Sequence, residues 1–363
     1  MNFHYRVDRL RQLLEDEGIE GFVIINIEGS DSLNLRYLTG FAGSFGILII
    51  TQTEQILLTD SRYLERVRKE VVGFEVVELK GNWAERLGEK LAELGLKRIG
   101  VNELTLSLHD AGQLRGKAKV EPVPLEGPVE RLRLRKDEGE IARVKRAVEL
   151  TDQALEYALE FVKPGMSERE VAWELEKWMR ENGSDGIAFP VIAAAGPNSA
   201  LPHATPSDRR IEEGDLLLLD IGARCEGYCA DLTRVISIGP PSERQREVHE
   251  VVRRAQGAAL AGIRVGMSGV EADRLARDAI QEAGFGDAFG HGLGHGVGLA
   301  VHEGPRLSPF AEPEPQLEPG MVVTVEPGIY LPGEFGVRIE DLTVVREEGL
   351  EVLTGSPKEL RVI

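Results

Sequence analysis

The sequence has little cysteine, a deficit of positive charge and no long apolar run. Two cysteines among 363 residues, Cys225 and Cys229, cannot build a disulfide framework, and their spacing does not match a Cys-x-x-Cys metal or redox motif. The formal net charge of -18 argues against binding nucleic acid or an anionic membrane. No apolar segment approaches the roughly 18 residues of a membrane span, and the N-terminal segment lacks the apolar core of a secretory signal. These absences predict a cytoplasmic protein that binds neither nucleic acid nor membrane, with both cysteines lying in strands.

The length of 363 residues and the hydrophobic content of 42% suit two globular domains. In the first, helical and strand patterns alternate without a phosphate loop or a dinucleotide-binding fingerprint, which indicates an α/β domain. The segment 121–128 contains three prolines, so it cannot sustain a helix and supplies few of the backbone donors that a strand needs. We therefore predict domains at 1–128 and 129–363. The first is expected to contain helices at 5–17, 61–70, 83–94 and 106–116, and strands at 22–25, 46–50, 55–58, 75–78 and 98–101.

The second domain contains an internal repeat. Residues 165–183 align without a gap onto residues 266–284, and each copy opens with a serine suited to cap a helix and closes with a glycine. Each copy is followed by an apolar strand, a turn and a return strand, at 211–233 and at 317–343. Two such halves are expected to pack about a pseudo-twofold axis with their hairpins side by side. A functional site is predicted between the hairpins.

Acidic residues recur where these hairpin strands end. Asp220 and Glu326 end the two outgoing apolar strands, and Asp231 and Glu340 lie on the two return strands. A carboxylate at the end of a buried strand costs several kcal/mol without compensation, and four converging carboxylates would repel one another strongly without cations. With His295 added, the set holds more oxygen than a mononuclear zinc site uses. It suits two Mn²⁺- or Co²⁺-like ions.

Three of the seven histidines lie within twelve residues, at His291, His295 and His302, and glycines fill the gaps between them. Glycine lets backbone and side chains approach a ligand closely. Where no ligand or neighbouring backbone uses that space, glycine only lowers the stability of the fold. A helical zinc motif is not present here, because its two histidines would lie four residues apart with glutamate between them. This segment is therefore expected to supply part of the site, with its partners coming from elsewhere in the chain.

The order of these residues resembles the creatinase, prolidase and methionine aminopeptidase family, which has the pita-bread fold. The resemblance covers about residues 137–363 and includes Pro202-His203, Val301-His302-Glu303 and the segment 336–341. Residues 35–41 and 58–63 resemble the N-terminal domain of the proline-specific branch. The resemblance implies an α/β (α+β) protein, with a creatinase-like N-terminal domain and a pita-bread catalytic domain. It assigns Asp220 to one metal ion and His295 with Glu326 to the other, with Asp231 and Glu340 bridging the two.

The same resemblance implies a mechanism. Two divalent ions, manganese or cobalt in preference to zinc, produce a bridging hydroxide that attacks the scissile carbonyl, and Glu326 carries its proton to the leaving nitrogen. His203 and His302 stabilise the developing oxyanion. His291, Tyr330, Arg306 and Arg338 are assigned to substrate binding. Packing within a strand is an equal alternative for Tyr330, and a plain surface role is an equal alternative for Arg306.

The resulting hypothesis is a metallopeptidase that cleaves the bond between an N-terminal residue and proline. Its substrate is either a dipeptide with proline second (prolidase-like, or Xaa-Pro dipeptidase) or a longer peptide (Xaa-Pro aminopeptidase), and the family implies a homodimer. Two alternatives on the same fold are a creatinase-like C–N hydrolase that does not use metals and an inactive binding protein. Because inactive members characteristically lose ligands and all five are present here, the sequence favours the peptidase.

Overall fold

The computed structural model describes residues 3–313 and 315–363. The chain forms two compact units, Met1–Arg133 and Leu134–Ile363. The helix Pro128–Arg133 belongs to the first unit, whereas the boundary predicted from the sequence falls directly after its first residue. Across the described residues, no helix combines the length and the apolar character that a membrane span requires.

The first unit is built on a mixed six-stranded sheet in the order β4-β3-β2-β1-β5-β6. The pairs β1–β2 and β2–β3 are antiparallel, and the remaining pairs are parallel. The strands are β1 (Gly21–Ile27), β2 (Phe45–Thr51), β3 (Gln55–Thr59), β4 (Glu75–Glu78), β5 (Arg98–Asn102) and β6 (Glu121–Leu125). The helices are α1 (Phe3–Asp16), α2 (Ser32–Thr39), α3 (Leu64–Glu70), α4 (Trp83–Glu93), α5 (Leu108–Gln113), which continues into a π-helical turn at Leu114–Ala118, and α6 (Pro128–Arg133).

The α/β pattern predicted for this unit is confirmed, and β2 and β3 form an antiparallel hairpin. Helix α2 was not predicted. Although its prolines leave few backbone donors, Glu121–Leu125 is a strand at the edge of the sheet, and no strand was listed there from the sequence. Glu121 donates its N–H to Lys97 O, so the alternate residues Pro122 and Pro124 face away from β5. An edge strand tolerates proline where the missing N–H would have pointed to solvent.

The helices of the second unit are α7 (Glu138–Phe161), α8 (Glu168–Glu181), α9 (Glu243–Gly262) and α10 (Gly269–Glu282). The predicted repeat is confirmed in α8 and α10. Each follows a serine that caps its N-terminus in a capping box, Ser167 with Glu170 and Ser268 with Glu271. Each is followed by a glycine with positive φ, Gly183 at 104° and Gly284 at 84°, a conformation that glycine adopts without steric cost.

Four sheets accompany these helices. A four-stranded sheet has the order β20-β12-β9-β8, a five-stranded sheet the order β14-β13-β15-β18-β19, and the smaller sheets are β11-β10-β7 and β16-β17. The strands are β7 (Gly186–Ile187), β8 (Ile192–Ala195), β9 (Leu216–Ile221), β10 (Ala223–Cys225), β11 (Tyr228–Cys229), β12 (Leu232–Ser237), β13 (Gly294–Gly296), β14 (Glu303–Leu307), β15 (Val322–Val325), β16 (Gly328–Leu331), β17 (Phe335–Arg338), β18 (Asp341–Arg346), β19 (Gly349–Val352) and β20 (Arg361–Val362). Both cysteines lie in strands, as predicted.

The two predicted hairpins form the centre of the second unit. Strand β9 pairs with β12 and strand β15 pairs with β18, both antiparallel. Each outgoing strand is fully buried: one core cluster packs α7 and α8 against β9, and another packs α9 and α10 against β15. The hairpins are joined by a backbone hydrogen bond of 3.1 Å from Glu340 N to Thr233 O. This bond brings the acidic ends of the two hairpins together.

Candidate active site

Four acidic side chains meet where the two hairpins join. Asp220 lies in β9, Asp231 directly precedes β12, Glu326 directly follows β15 and Glu340 directly precedes β18. Carboxylate oxygens of Asp220, Asp231 and Glu340 all lie within 4.8 Å of one another. All three residues are buried, with at most 9% of each exposed. The structure therefore brings together the acidic residues that the sequence pattern singled out.

His295 on β13 completes this group. Its Nε2 lies 3.3 Å from Glu326 Oε1 and 3.8 Å from Asp231 Oδ2. Its Nδ1 lies 3.1 Å from the carbonyl oxygen of Gly296. A carbonyl oxygen only accepts hydrogen bonds, so Nδ1 carries the proton in the neutral ring and Nε2 presents a lone pair to the carboxylates. Burial lowers the pKa of His295, which favours this neutral form.

Two threonine hydroxyls donate hydrogen bonds to carboxylates of the cluster. Thr233 donates its hydroxyl to Glu340 Oε2 at 2.6 Å, and Thr324 donates to Glu326 Oε1 at 3.1 Å. Thr324 Oγ1 also accepts the backbone N–H of His295 at 3.0 Å. Sequence reasoning missed both threonines. The only signal was their position two residues from an acidic residue, which is too common in strands to single them out.

Arg338 is the cation within this cluster. Its side chain is almost fully buried, and Nη2 lies 2.7 Å from Asp220 Oδ2. Nε donates to Thr233 Oγ1 at 3.0 Å, and Nη1 donates to the Tyr330 hydroxyl at 2.7 Å and to Pro202 O at 3.2 Å. Its charge compensates that of Asp220, and its other nitrogens tie the two hairpins to the segment that carries His203.

Tyr330 lies behind this arginine. Its hydroxyl accepts from Arg338 and lies 2.9 Å from His291 Nε2. The Nδ1 atom of His291 lies 2.8 Å from Gly292 O, so Nδ1 is the donor and Nε2 accepts the hydrogen of Tyr330. Tyr330 is buried in β16, and burial raises its pKa to about 12. Tyr330 does not line the cavity described below, and it contacts His291 and Arg338, which do line it.

A cavity of about 670 Å³ opens over the carboxylates. Apart from Tyr330, every site residue named from the sequence lines it, including His203, His291, His302 and Arg306. Phe189, Pro190 and Ile192 add an apolar wall that the sequence did not point to, because short apolar segments carry no mark of facing a cavity. Polar groups that converge on a partly apolar cleft are characteristic of a substrate site.

His302 and Arg306 stand at the rim of this cavity. The His302 ring centroid lies 4.3 Å from that of His295, and Arg306 on β14 pairs in register with His295 on β13. Both side chains are exposed. Burial and the neighbouring His295 lower the pKa of His302. Among the residues that the structure describes, Arg306 forms no ion pair, so its charge is available to a ligand.

His291 is fixed by its backbone. Arg277 on α10 donates to His291 O at 2.6 Å and to Phe289 O at 2.9 Å, and its guanidinium pairs with the buried Asp273. Asp273 in turn accepts the N–H of Leu293 at 2.9 Å. Burial lowers the pKa of the His291 imidazole to about 4. This histidine is therefore neutral at physiological pH.

The raised pKa values of the carboxylates fit a site that binds cations. Burial, reinforced by the neighbouring carboxylates, raises the pKa of Asp231 and of Glu340 well above the usual range. Burial also raises the pKa of Glu326 to about 7. The Oδ1 atom of Asp220 is buried and accepts no hydrogen bond from residues 3–313 and 315–363. Four carboxylates, an imidazole lone pair and one unpartnered buried oxygen fit an oxygen-rich centre for divalent ions.

Comparison with known proteins agrees with this chemistry. The model of metallopeptidase family M24 matches residues 142–347, and that of the creatinase/prolidase N-terminal domain matches residues 6–135. The chain belongs to metallopeptidase family M24. It is therefore a pita-bread metallopeptidase with a creatinase-type N-terminal domain, as the resemblance predicted, and the family implies divalent metal ions.

Individual relatives of this metallopeptidase cover it almost from end to end. It is 37% identical to an Xaa-Pro dipeptidase of Pyrococcus furiosus over 98% of this chain and 99% of the relative. The structure of an Xaa-Pro dipeptidase from Bacillus anthracis matches with a TM-score of 0.95 at 42% identity, covering 100% of both chains. The structure of an X-Pro aminopeptidase from Thermotoga maritima matches with a TM-score of 0.92 at 41% identity, covering 98% of this chain and 100% of the other.

Proposed function

We propose that this metallopeptidase hydrolyses the bond between an N-terminal residue and proline. The observation that carries the proposal is that all five expected ligand side chains line one cavity, in a chain whose full-length relatives are named for Xaa-Pro substrates. A creatinase-like hydrolase that does not use metals has no need for this carboxylate cluster, whose ionisation is costly without cations. An inactive binding protein has no need for it either.

Asp220 would hold one metal ion, His295 and Glu326 would hold the other, and Asp231 and Glu340 would contribute to both. When bound, two divalent ions, manganese or cobalt in preference to zinc, lower the pKa of a water molecule and supply hydroxide near neutral pH. Arg338 orients Asp220 through the contact at 2.7 Å. Thr233 and Thr324 orient Glu340 and Glu326.

Proton transfer is assigned to Glu326. Its carboxylate lines the cavity, where it can accept a proton and pass it on to the leaving nitrogen. The leaving nitrogen of an Xaa-Pro bond carries no hydrogen before cleavage, so it must receive a proton as the bond breaks. His302 and His203 line the same cavity and are proposed to donate hydrogen bonds to the carbonyl oxygen as it gains negative charge.

Substrate recognition is assigned to the cavity walls. Phe189, Pro190 and Ile192 offer apolar surface for the proline ring, and His291 and Arg338 supply the polar side. Arg306 is proposed to meet the free carboxylate of a dipeptide, which favours prolidase-like activity. The alternative is a longer peptide, as for the X-Pro aminopeptidase of Thermotoga maritima, in which case Arg306 has no carboxylate to bind.

The decisive experiment compares hydrolysis of Ala-Pro, Gly-Pro, Ala-Ala and Xaa-Pro-Xaa peptides after chelation and after Mn²⁺, Co²⁺ or Zn²⁺ is restored. We expect no activity without metal, recovery with Mn²⁺ or Co²⁺, and little hydrolysis of Ala-Ala. Full activity in thoroughly demetallated protein would refute the metal-dependent mechanism, and equal rates on Ala-Ala would refute proline specificity. A homodimer and a cytoplasmic location are part of the same proposal, and the molar mass in solution tests the first.

A further inference from the structure

The loop that carries His203 is held at both ends by one buried carboxylate, that of Glu168. Glu168 is the first residue of α8, and its side chain is only 1% exposed. Its Oε1 accepts the N–H of Ala195 at 2.8 Å, where β8 ends and the loop begins. Its Oε2 accepts the N–H of Ser207 at 3.0 Å and the Ser207 hydroxyl at 2.6 Å, where the loop returns. Residues 196–206 therefore form a loop whose two ends, at Ala195 and Ser207, are both hydrogen-bonded to the side chain of Glu168.

A third residue donates to the same carboxylate from within the loop. The side-chain amide of Asn198 donates to Oε1 at 3.0 Å and to Oε2 at 3.1 Å. Helix α8 does not need this carboxylate for its own N-terminus, because Ser167 and Glu170 already form the capping box. A buried negative charge is costly unless it accepts several hydrogen bonds, and here these bonds come from the loop.

The opposite side of the loop faces the active site. The N–H of Gly336 on β17 donates to Ser199 Oγ at 2.8 Å, and Arg338 donates to Pro202 O at 3.2 Å. The next residue, His203, lines the cavity with an exposed side chain. The part of the chain that the structure describes offers the His203 imidazole no hydrogen bond. Its position is therefore set by the backbone of the loop.

We propose that Glu168 is a positioning residue for His203. The carboxylate fixes both ends of the loop, and the loop in turn places an otherwise unsupported imidazole over the carboxylate cluster. The inference rests on the proposed function of His203 as a hydrogen-bond donor to the substrate carbonyl. Glu168 itself does not line the cavity, so it acts only through the loop.

The test is a double-mutant cycle with Glu168→Gln and His203→Ala on the metal-loaded enzyme. Glutamine keeps the size of the side chain but turns an NH₂ group toward donors, so the loop ends lose part of their support. We expect Glu168→Gln to lower kcat roughly 10- to 100-fold, as small misplacements of a reacting group do, with metal content unchanged and KM changed less. The double variant should be no slower than His203→Ala alone, because the two changes remove the same interaction.

Glu170→Gln is the matched control, since Glu170 lies on the same turn but is exposed and serves only the capping box and Arg210. It should retain activity. If Glu168→Gln fails to fold, Ser207→Ala, which deletes only the hydroxyl donor, should show a smaller loss that again disappears in the His203→Ala background.

The outcomes separate the two hypotheses. Full activity of His203→Ala would refute the role of His203, and the positioning role with it. A slow His203→Ala variant combined with full activity of Glu168→Gln, or with losses that multiply in the double variant, would overturn the positioning role while the proposed function stands. Loss of metal from Glu168→Gln would show that the carboxylate supports the whole unit and would also overturn it.

Discussion

Replacing Glu340 by glutamine should stabilise the metal-free protein and weaken its binding of divalent ions. Glu340 is 2% exposed, and its carboxylate lies within 4.8 Å of those of Asp220 and Asp231. Its hydrogen bond from the Thr233 hydroxyl can survive, because the amide oxygen of glutamine also accepts. The substitution therefore removes a charge from the cluster and changes the packing little.

The size of the stabilisation follows from the carboxylate spacing. Two ionised carboxylates about 4.8 Å apart repel by roughly 3 kcal/mol at an effective dielectric constant of about 20. Burial and the neighbouring carboxylates raise the pKa of Glu340, so a bound proton relieves part of this repulsion. An acid with a raised pKa in the folded state stabilises the fold at low pH, and that contribution disappears as the pH rises through the folded-state pKa. The gain in the variant should therefore be about 1 to 3 kcal/mol at pH 8 and close to zero at pH 4.

Calorimetry with and without chelator measures both effects. For a unit of this size, the gain corresponds to a rise in Tm of roughly 3 to 9 °C in the chelated protein. Mn²⁺ at 100 times its Kd stabilises the wild type by about 2.7 kcal/mol, and most of this shift should vanish in the variant. Glu348→Gln, in the exposed turn after β18, is the control. It should change neither the Tm of the chelated protein nor the stabilisation by Mn²⁺. A less stable chelated variant, or one that retains two metal equivalents, would refute the reasoning.

Three further substitutions test other parts of the molecule. His302→Ala should lower kcat by roughly 10²- to 10³-fold with both metals still bound, as loss of an oxyanion donor does; metal loss would contradict that role. Arg306→Ala should cost roughly 1.5 to 3 kcal/mol of binding for Xaa-Pro dipeptides and little for amidated or extended peptides, because only the former present a free carboxylate. Equal losses on both substrates would make Arg306 structural and favour the aminopeptidase. In the first unit, burial raises the pKa of Asp31 to about 6, so its ionisation opposes folding above that pH. Asp31→Asn should therefore stabilise this unit by up to about 3 kcal/mol at pH 8 and negligibly at pH 4 in urea unfolding, and an equal gain at both values would show that charge is not the cause.

The sequence by itself determined the local elements and the repeat. Serine caps and terminal glycines mark both ends of α8 and α10, because capping and positive φ depend on neighbouring residues. Continuous apolar segments ended by Asp220 and Glu326 indicated buried strands whose charges need partners. The family resemblance then fixed the order of the five expected ligands, and the fold it implied is confirmed.

Other features depended on contacts between distant residues. Glu340 and Asp341 are adjacent acids, and composition does not say which one faces the site. In the structure, Glu340 joins the carboxylate cluster, whereas Asp341 pairs with Arg234 at 2.7 Å on the other side. Side chains alternate along extended backbone, so the register of β18 against β15 decides which of the two acids faces the site. That register is set by the packing of the whole hairpin.

The surroundings of the site were decided in the same way. Arg338 reaches Asp220 across 118 positions of sequence, and Glu168 reaches Ser207 across 39. Tyr330 lies behind the cavity wall and not in it, because the pairing of β16 with β17 places its hydroxyl between His291 and Arg338. Local patterns carry the propensity for helix and strand, but which buried charges meet depends on how those elements pack. The tertiary structure alone supplies that information.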